Sequence, residues 1–112
     1  MSIFFSLPEF DKELKKLTKK YPTLGSDIED IKPILLDCPT GIGKNFTIIK
    51  IENEVTIVKV RIHCESLSSR VIRLIYAYRK EKIDFMYIEV YFKGDKENEN
   101  RERIKQYLKT LS

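Results

Sequence analysis

The chain has 112 residues, 42% of them apolar and 34% charged, with a formal net charge of +4. That is one domain, 1–112, large enough to bury a core without staples, and its six Tyr and six Phe exclude a disordered or collagen-like chain. Apolar runs fall far short of the ~20 residues of a membrane helix, no secretory pattern follows Met1, and Cys38 and Cys64 are too few for a disulfide scaffold, so a soluble cytoplasmic domain with no membrane partner is expected.

Ser6-Leu7-Pro8-Glu9 predicts a helix start, with Ser at the cap, Pro in the first turn and Glu three residues on. Phe10, Leu14, Leu17 and Tyr21 recur at helical spacing, Lys12, Lys15, Lys16, Lys19 and Lys20 occupy the rest of the cylinder, and Pro22 stops it. Ser26-Asp27-Ile28-Glu29 reads as a second capping box leading into Ile28, Ile31 and Leu35, and Pro33 inside that pattern should kink or shorten the helix. Helices are therefore expected over 7–21 and 26–36, joined as a hairpin. After the loop from Asp37 to Lys44 the period changes to two. Strands are predicted at Phe46–Ile51 and Val55–Cys64 around a Glu52-Asn53-Glu54 turn, then at Val71–Tyr78 and Ile83–Phe92. Asp95–Arg101 reads as the first turn of a last helix, in which Ile104, Leu108 and Leu111 recur at helical spacing. The order α-α-β-β-β-β-α with short connections predicts an α+β fold: two N-terminal helices on a four-stranded, mainly antiparallel sheet, with a C-terminal helix.

Alternation assigns the strand faces. Val58, Val60, Ile62 and Cys64 oppose Lys59, Arg61 and His63; Ile72, Leu74, Tyr76 and Tyr78 oppose Val71, Arg73, Ile75 and Ala77; Met86, Ile88, Val90 and Phe92 oppose Tyr87, Glu89, Tyr91 and Lys93. The apolar face is expected to receive the helices. The other carries Lys59, Arg61, His63, Arg73, Glu89, Tyr91 and Lys93, a cationic surface with interleaved rings of the kind that meets phosphates and bases. The plainer alternative is the solvated polar face of any antiparallel sheet. Net charge leans the same way, since residues 1–58 hold eight Lys against nine acidic residues, whereas 59–112 hold 13 Lys and Arg against eight, including all six Arg. Arg presents a planar fork of donors suited to phosphate.

Other chemistry is poorly served. Gly41-Ile42-Gly43-Lys44 lacks the earlier Gly and following Ser or Thr of a phosphate loop, and the next segment reads as a strand, not a helix. One His and two distant Cys make no zinc set, so neither metal nor cofactor is expected. Cys64 points away from His63 along the strand, which removes a Cys–His pair and predicts a core cysteine. His63 shares a face with Lys59 and Arg61, a place for an imidazole that carries protons near neutrality, against the plainer reading of an idle surface His. Lys93 and Lys96 sit where a helix N-terminus disfavours cations, and their place at the end of the basic face implies a separate role.

Lys59-Val60-Arg61, Arg73-Leu74-Ile75-Tyr76-Ala77-Tyr78 and Ile88-Glu89-Val90-Tyr91-Phe92-Lys93-Gly94-Asp95-Lys96-Glu97-Asn98, in this order of elements, resemble the RelE/ParE superfamily of toxins from type II toxin–antitoxin modules. The resemblance covers nearly the whole chain and implies the RelE-like toxin fold. For the RelE-like branch it implies a metal-independent endoribonuclease that enters the ribosomal A site and cuts mRNA by attack of a 2′-hydroxyl on the adjacent phosphate. Lys59 and Arg61 then fall at paired basic positions, Arg73 at the arginine that grips the phosphate, and Lys93 or Lys96 at a late basic position. Arg70, from the same basic half, joins Lys59 and Lys96 as a phosphate contact. Some RelE-type toxins carry a Tyr in the last helix; the corresponding place here is about Asn100, leaving Tyr91 and His63 as substitutes. The implied partners are mRNA, the ribosome and a cognate antitoxin, bound as a hetero-oligomer. The alternatives are a ParE-like gyrase inhibitor and an inactive RNA- or protein-binding relative.

Overall fold

A computed structural model describes residues 3–111. Its elements run β1 (Phe4–Ser6), α1 (Pro8–Lys20), α2 (Leu24–Glu29), α3 (Lys32–Asp37), β2 (Phe46–Glu52), β3 (Val55–Cys64), β4 (Ser69–Arg79), β5 (Asp84–Phe92) and α4 (Arg101–Thr110), with a 3-10 turn at Glu65–Leu67. The class is α+β, as expected, but the sheet has five strands in the order β1-β5-β4-β3-β2, with β1 parallel to β5 and the other pairs antiparallel.

The departures have local causes. β1 replaces the predicted helix cap: Ser6 belongs to the strand and donates to Asp11 Oδ1 at 2.6 Å, while Leu7 is the cap residue and Pro8 opens α1. Phe4 stacks on Phe85 at 4.8 Å between ring centroids, which binds this three-residue strand to its neighbour. Ser26 likewise lies inside α2, donating to Thr23 O at 2.9 Å. Pro33, which has no N–H to continue the helix, sits in the first turn of α3 and splits the predicted second helix in two. Between β2 and β3, Asn53 (φ 49°) and Glu54 (φ 65°) are both left-handed, the two-residue turn whose twist matches an antiparallel pair.

Strict alternation fails in β5. Ile75 pairs with Glu89 but Tyr76 pairs with Tyr87, so Ile88 is an extra residue and the strand bulges there. Phe85 and Tyr87 therefore join Tyr76, Leu74, Val58, Val60, Ile62 and Cys64 in a core closed by Phe10, Leu24, Ile28 and Leu35 of α1–α3. Met86 and Ile88, predicted for that face, pack with a second cluster instead: Val55, Ile57, Ile75, Ala77 and Tyr91 beneath Ile104, Tyr107 and Leu108 of α4. The expectation that one face receives all the helices is corrected accordingly. The sheet is covered on one side by α1–α3 and over part of the other by α4.

One ion pair ties these layers together around the edge of β5 beyond β1. Arg103 of α4 donates bidentately to Glu13 of α1 at 2.7 and 3.0 Å and to Ile88 O at 2.9 Å, and Glu13 Oε1 also accepts from Val90 N–H at 3.4 Å. The Glu13 bonds lift Arg103 above its already high pKa against the opposing effect of burial. Arg103→Ala should lower the free energy of unfolding by about 2 kcal/mol, because it strands a half-buried carboxylate and a carbonyl. Urea denaturation checks this, and a loss under ~0.5 kcal/mol would remove the clamp from the account of stability.

Candidate functional site

The half of the second sheet face that α4 leaves open holds the predicted basic residues. Arg61, Arg73 and Tyr91 are successive cross-strand partners on β3, β4 and β5, and so form one row. Arg61 is exposed. Arg73 is only 7% exposed, and its Nη1 donates to Arg70 O at 2.6 Å and Ile72 O at 3.5 Å. Among the described residues neither Arg61 nor Arg73 faces a carboxylate in an ion pair. Burial and then the neighbouring Arg61 charge depress the Arg73 pKa, with Tyr91 acting weakly the other way. A largely buried guanidinium next to a second cation, with no acid paired to it among the described residues and only backbone carbonyls as acceptors, favours a bound anion.

Tyr91 is not the open stacking platform that alternation predicts. It is 6% exposed, packed into the α4 cluster, with the Lys96 ammonium 5.2 Å over its ring. Burial first, then Glu99 and Glu89, push its phenol up to about 12, so it holds its proton at neutral pH and keeps an O–H to donate there.

Two acids behind the row engage two of the predicted phosphate contacts. Glu89 is fully buried; Lys96 Nζ donates to its Oε2, and the Asn100 N–H donates to Oε1 at 2.8 Å. Glu99 is also buried, accepting from Lys59 Nζ at 2.9 Å and lying 3.1 Å from Arg101 Nη2. Lys59 and Lys96 thus hold the segment before α4 against the sheet. This corrects the predicted helix start: α4 begins at Arg101, capped by Asn100, whose Oδ1 accepts from the Arg103 N–H at 3.0 Å. The Asp95–Glu99 stretch is a strap, not a helical turn. Sequence reasoning placed Glu89 on this face without a role and passed over Glu99; an acid amid the apolar residues of β5 was the available signal.

The remaining residues flank the row on one side, His63 further along β3, Lys93 beyond the end of β5 and Arg70 earlier on β4. Lys93 is exposed just past β5, its own N–H donating to Val71 O at 2.8 Å. His63, with a side chain 45% exposed, lies 3.2 Å from Glu65 Oε2 rather than against the arginines. Arg61, His63 and Arg70 line a shallow groove whose other wall includes Asp27, Asp30 and Ile34. Arg61, Arg73 and Tyr91 are therefore contiguous, with Lys93, His63 and Arg70 at the rim and Lys59 and Lys96 in support. Cys64 is in the core, and the Gly41–Lys44 loop leads into β2 with Gly41 and Gly43 at positive φ. Among the described residues no helix is long and apolar enough to cross a membrane.

No family model matches the sequence, and no curated protein matches it.

The Lys59 bond, with backbone bonding and the Arg101 charge, more than offsets the rise that burial imposes on Glu99, leaving its pKa below the ordinary carboxylate range. A depressed carboxylate contributes stability in full above its unfolded value, about 4.3, and loses it as the pH falls through its lower folded value. Glu99→Gln should therefore destabilise the protein at pH 7 and flatten the fall in stability below about pH 4.3, read by urea denaturation across pH. An acid limb identical to that of the unsubstituted protein would overturn the assignment.

Proposed function

We propose that this chain is the toxin of a type II toxin–antitoxin module, a RelE-like endoribonuclease that cleaves mRNA on the ribosome in the cytoplasm and is neutralised by an antitoxin bound over it. The observation that carries the reading is Arg73, a largely buried arginine with no carboxylate partner among the described residues, set between exposed Arg61 and buried Tyr91 at the border of the face that α4 covers. The resemblance of the strand motifs supplies the substrate class, and the α+β architecture with helices before and after the sheet is compatible with the RelE-like fold.

In this reading the 2′-hydroxyl oxygen attacks the adjacent phosphorus and the bond from phosphorus to the 5′-oxygen breaks, leaving a cyclic phosphate and a 5′-hydroxyl. Arg73 and Arg61 meet the charge that grows on the non-bridging oxygens. Tyr91 keeps its phenolic proton and donates a hydrogen bond to the same group. Removal of the 2′ proton and protonation of the 5′-oxygen fall to the exposed titratable groups at the rim, His63 and Lys93. Lys59 and Lys96 act indirectly, by fixing the strap that borders the site.

Arg73→Ala and Arg73→Lys should both abolish growth arrest on induced expression and lower primer-extension stops on mRNA by about 100-fold or more, the scale of a lost donor to a developing oxyanion. Circular dichroism checks that the fold persists, with Arg73→Lys as the variant that keeps the buried volume and charge. Arg61→Ala, at an exposed position, should lower cleavage without altering the melt. Arrest without mRNA cuts would transfer the chain to the gyrase-inhibitor class, and no arrest at all would make it an inactive relative.

A further inference from the structure

The site described above leaves the most concentrated charge on the molecule unused. From residue 12 to residue 20 of α1 every exposed position is a lysine: Lys12, Lys15, Lys16, Lys19 and Lys20. At 100° per residue the five fall within one ~140° arc, opposite Phe10, Leu14, Leu17 and Tyr21, which pack against the sheet. The ridge thus lies on the other side of the sheet from Arg61 and Arg73.

Internal structure accounts for little of it: of the five, only Lys20 has a ring contact among the described residues, its ammonium 5.9 Å over Tyr21. Cations suit the C-terminal turn of a helix, which covers Lys19 and Lys20 but not Lys12, Lys15 or Lys16. Among the described residues none of the five ammonium groups is in an ion pair. Of the neighbouring acids, Glu13 is engaged by Arg103 and Asp11 by Ser6, while exposed Glu9 lies one turn before Lys12, forms no ion pair with it among the described residues, and offsets only one of the five charges. Lys12–Lys16, Lys15–Lys19 and Lys16–Lys20 are like charges at i,i+4, and Lys12–Lys15 and Lys16–Lys19 at i,i+3, each a mildly repulsive pair. The ridge destabilises the free helix, and a bound polyanion would reverse the sign of that effect.

The type of polyanion follows from what the ridge lacks. With no exposed ring between the lysines there is nothing for unpaired bases to stack on, which disfavours a single strand. With no exposed apolar residue among them there is no anchor for a membrane surface and no core for a protein interface, where Lys is depleted. Point charges spread over ~12 Å of helix fit the phosphate backbone of a duplex, read without regard to sequence. We propose that α1 is a second nucleic-acid surface that docks the backbone of double-stranded RNA, while the Arg73 row addresses a single strand. Only the choice of RNA over DNA rests on the reading in the preceding subsection.

The test is fluorescence anisotropy with a 20-base-pair mixed-sequence RNA duplex over a range of salt, using the full chain. The Lys12→Gln/Lys16→Gln/Lys19→Gln variant should bind at least ~10-fold more weakly at low salt and lose about two to three units of the salt slope, whereas Lys82→Gln, which removes one exposed lysine from the β4–β5 turn, should keep the affinity. Its thermal melt should be unchanged or raised, since repulsion has been removed. Wild-type affinity and slope in the triple variant would overturn the proposal. So would tighter binding of the ridge to poly-glutamate or to duplex DNA than to duplex RNA. Duplex binding is read apart from cleavage: its loss in the triple variant and retention in Arg73→Lys would support this surface even if primer-extension stops on mRNA never appeared, so failure of this surface and failure of the nuclease reading are distinguishable.

Discussion

The open face of this sheet depends on a carboxylate that has no contact with water. Glu89 is fully buried, and a lone ionised carboxyl in that position would be prohibitively unfavourable. It is tolerable because Lys96 and the Asn100 N–H converge on its two oxygens. Those two groups lie on either end of the strap between β5 and α4, so satisfying one charge fixes the path of the chain. Glu99 repeats the device in reverse, an acid on the strap held by Lys59 on the sheet. The paired carboxylates decide where α4 begins and how much of the second face it covers.

The bulge at Ile88 makes this arrangement possible. An extra residue in β5 lets Ile88 and Glu89 both serve the α4 side, while Tyr87 and Val90 remain in the first core. Ile88 gives α4 an apolar floor and Glu89 gives its N-terminal strap a charged anchor. The Arg103–Glu13 clamp then closes the free edge of β5 past β1, where Ile88 O and Val90 N–H would otherwise lack partners. One irregularity thus serves packing, anchoring and edge protection.

What was legible in the sequence follows from the same physics. Strands β2 to β5 declare themselves because alternation of Val, Ile and Tyr with Lys and Arg is a two-fold signal with few competitors. The cross-strand row of Arg61, Arg73 and Tyr91 was reachable from that alternation, because its residues lie on the regular side of the bulge. β1 was not legible: three residues carry no period, and Ser6 followed by Pro8 imitates a capped helix. Nor was the bulge, since Met86, Ile88, Val90 and Phe92 alternate faultlessly on paper. Only the pairing register shows Met86 and Ile88 turned to the other core. The roles of Lys59 and Lys96 were hidden for a different reason, because ion pairs between sheet and strap depend on a chain path that residue types do not encode.

The cations of this protein consequently divide into two kinds that composition cannot separate. Lys59, Lys96 and Arg103 are engaged internally, each offset by a carboxylate in reach. Among the described residues Arg61, Arg73 and the α1 lysines have no such partner, and two of these groups oppose the stability of the free fold, Arg73 through burial and the lysines through mutual repulsion. A net charge of +4 understates this, because the sum cancels neutralised pairs against unneutralised groups. Two groups of that charge lie on opposite sides of one sheet, the Arg61–Arg73 pair on one and the α1 lysines on the other. A planar donor fork in a desolvated setting selects one phosphate by geometry, and a ridge of flexible ammonium groups reads only the density of phosphates. That division of chemistry is what a molecule needs if it is to hold a large polyanion loosely and one of its linkages tightly.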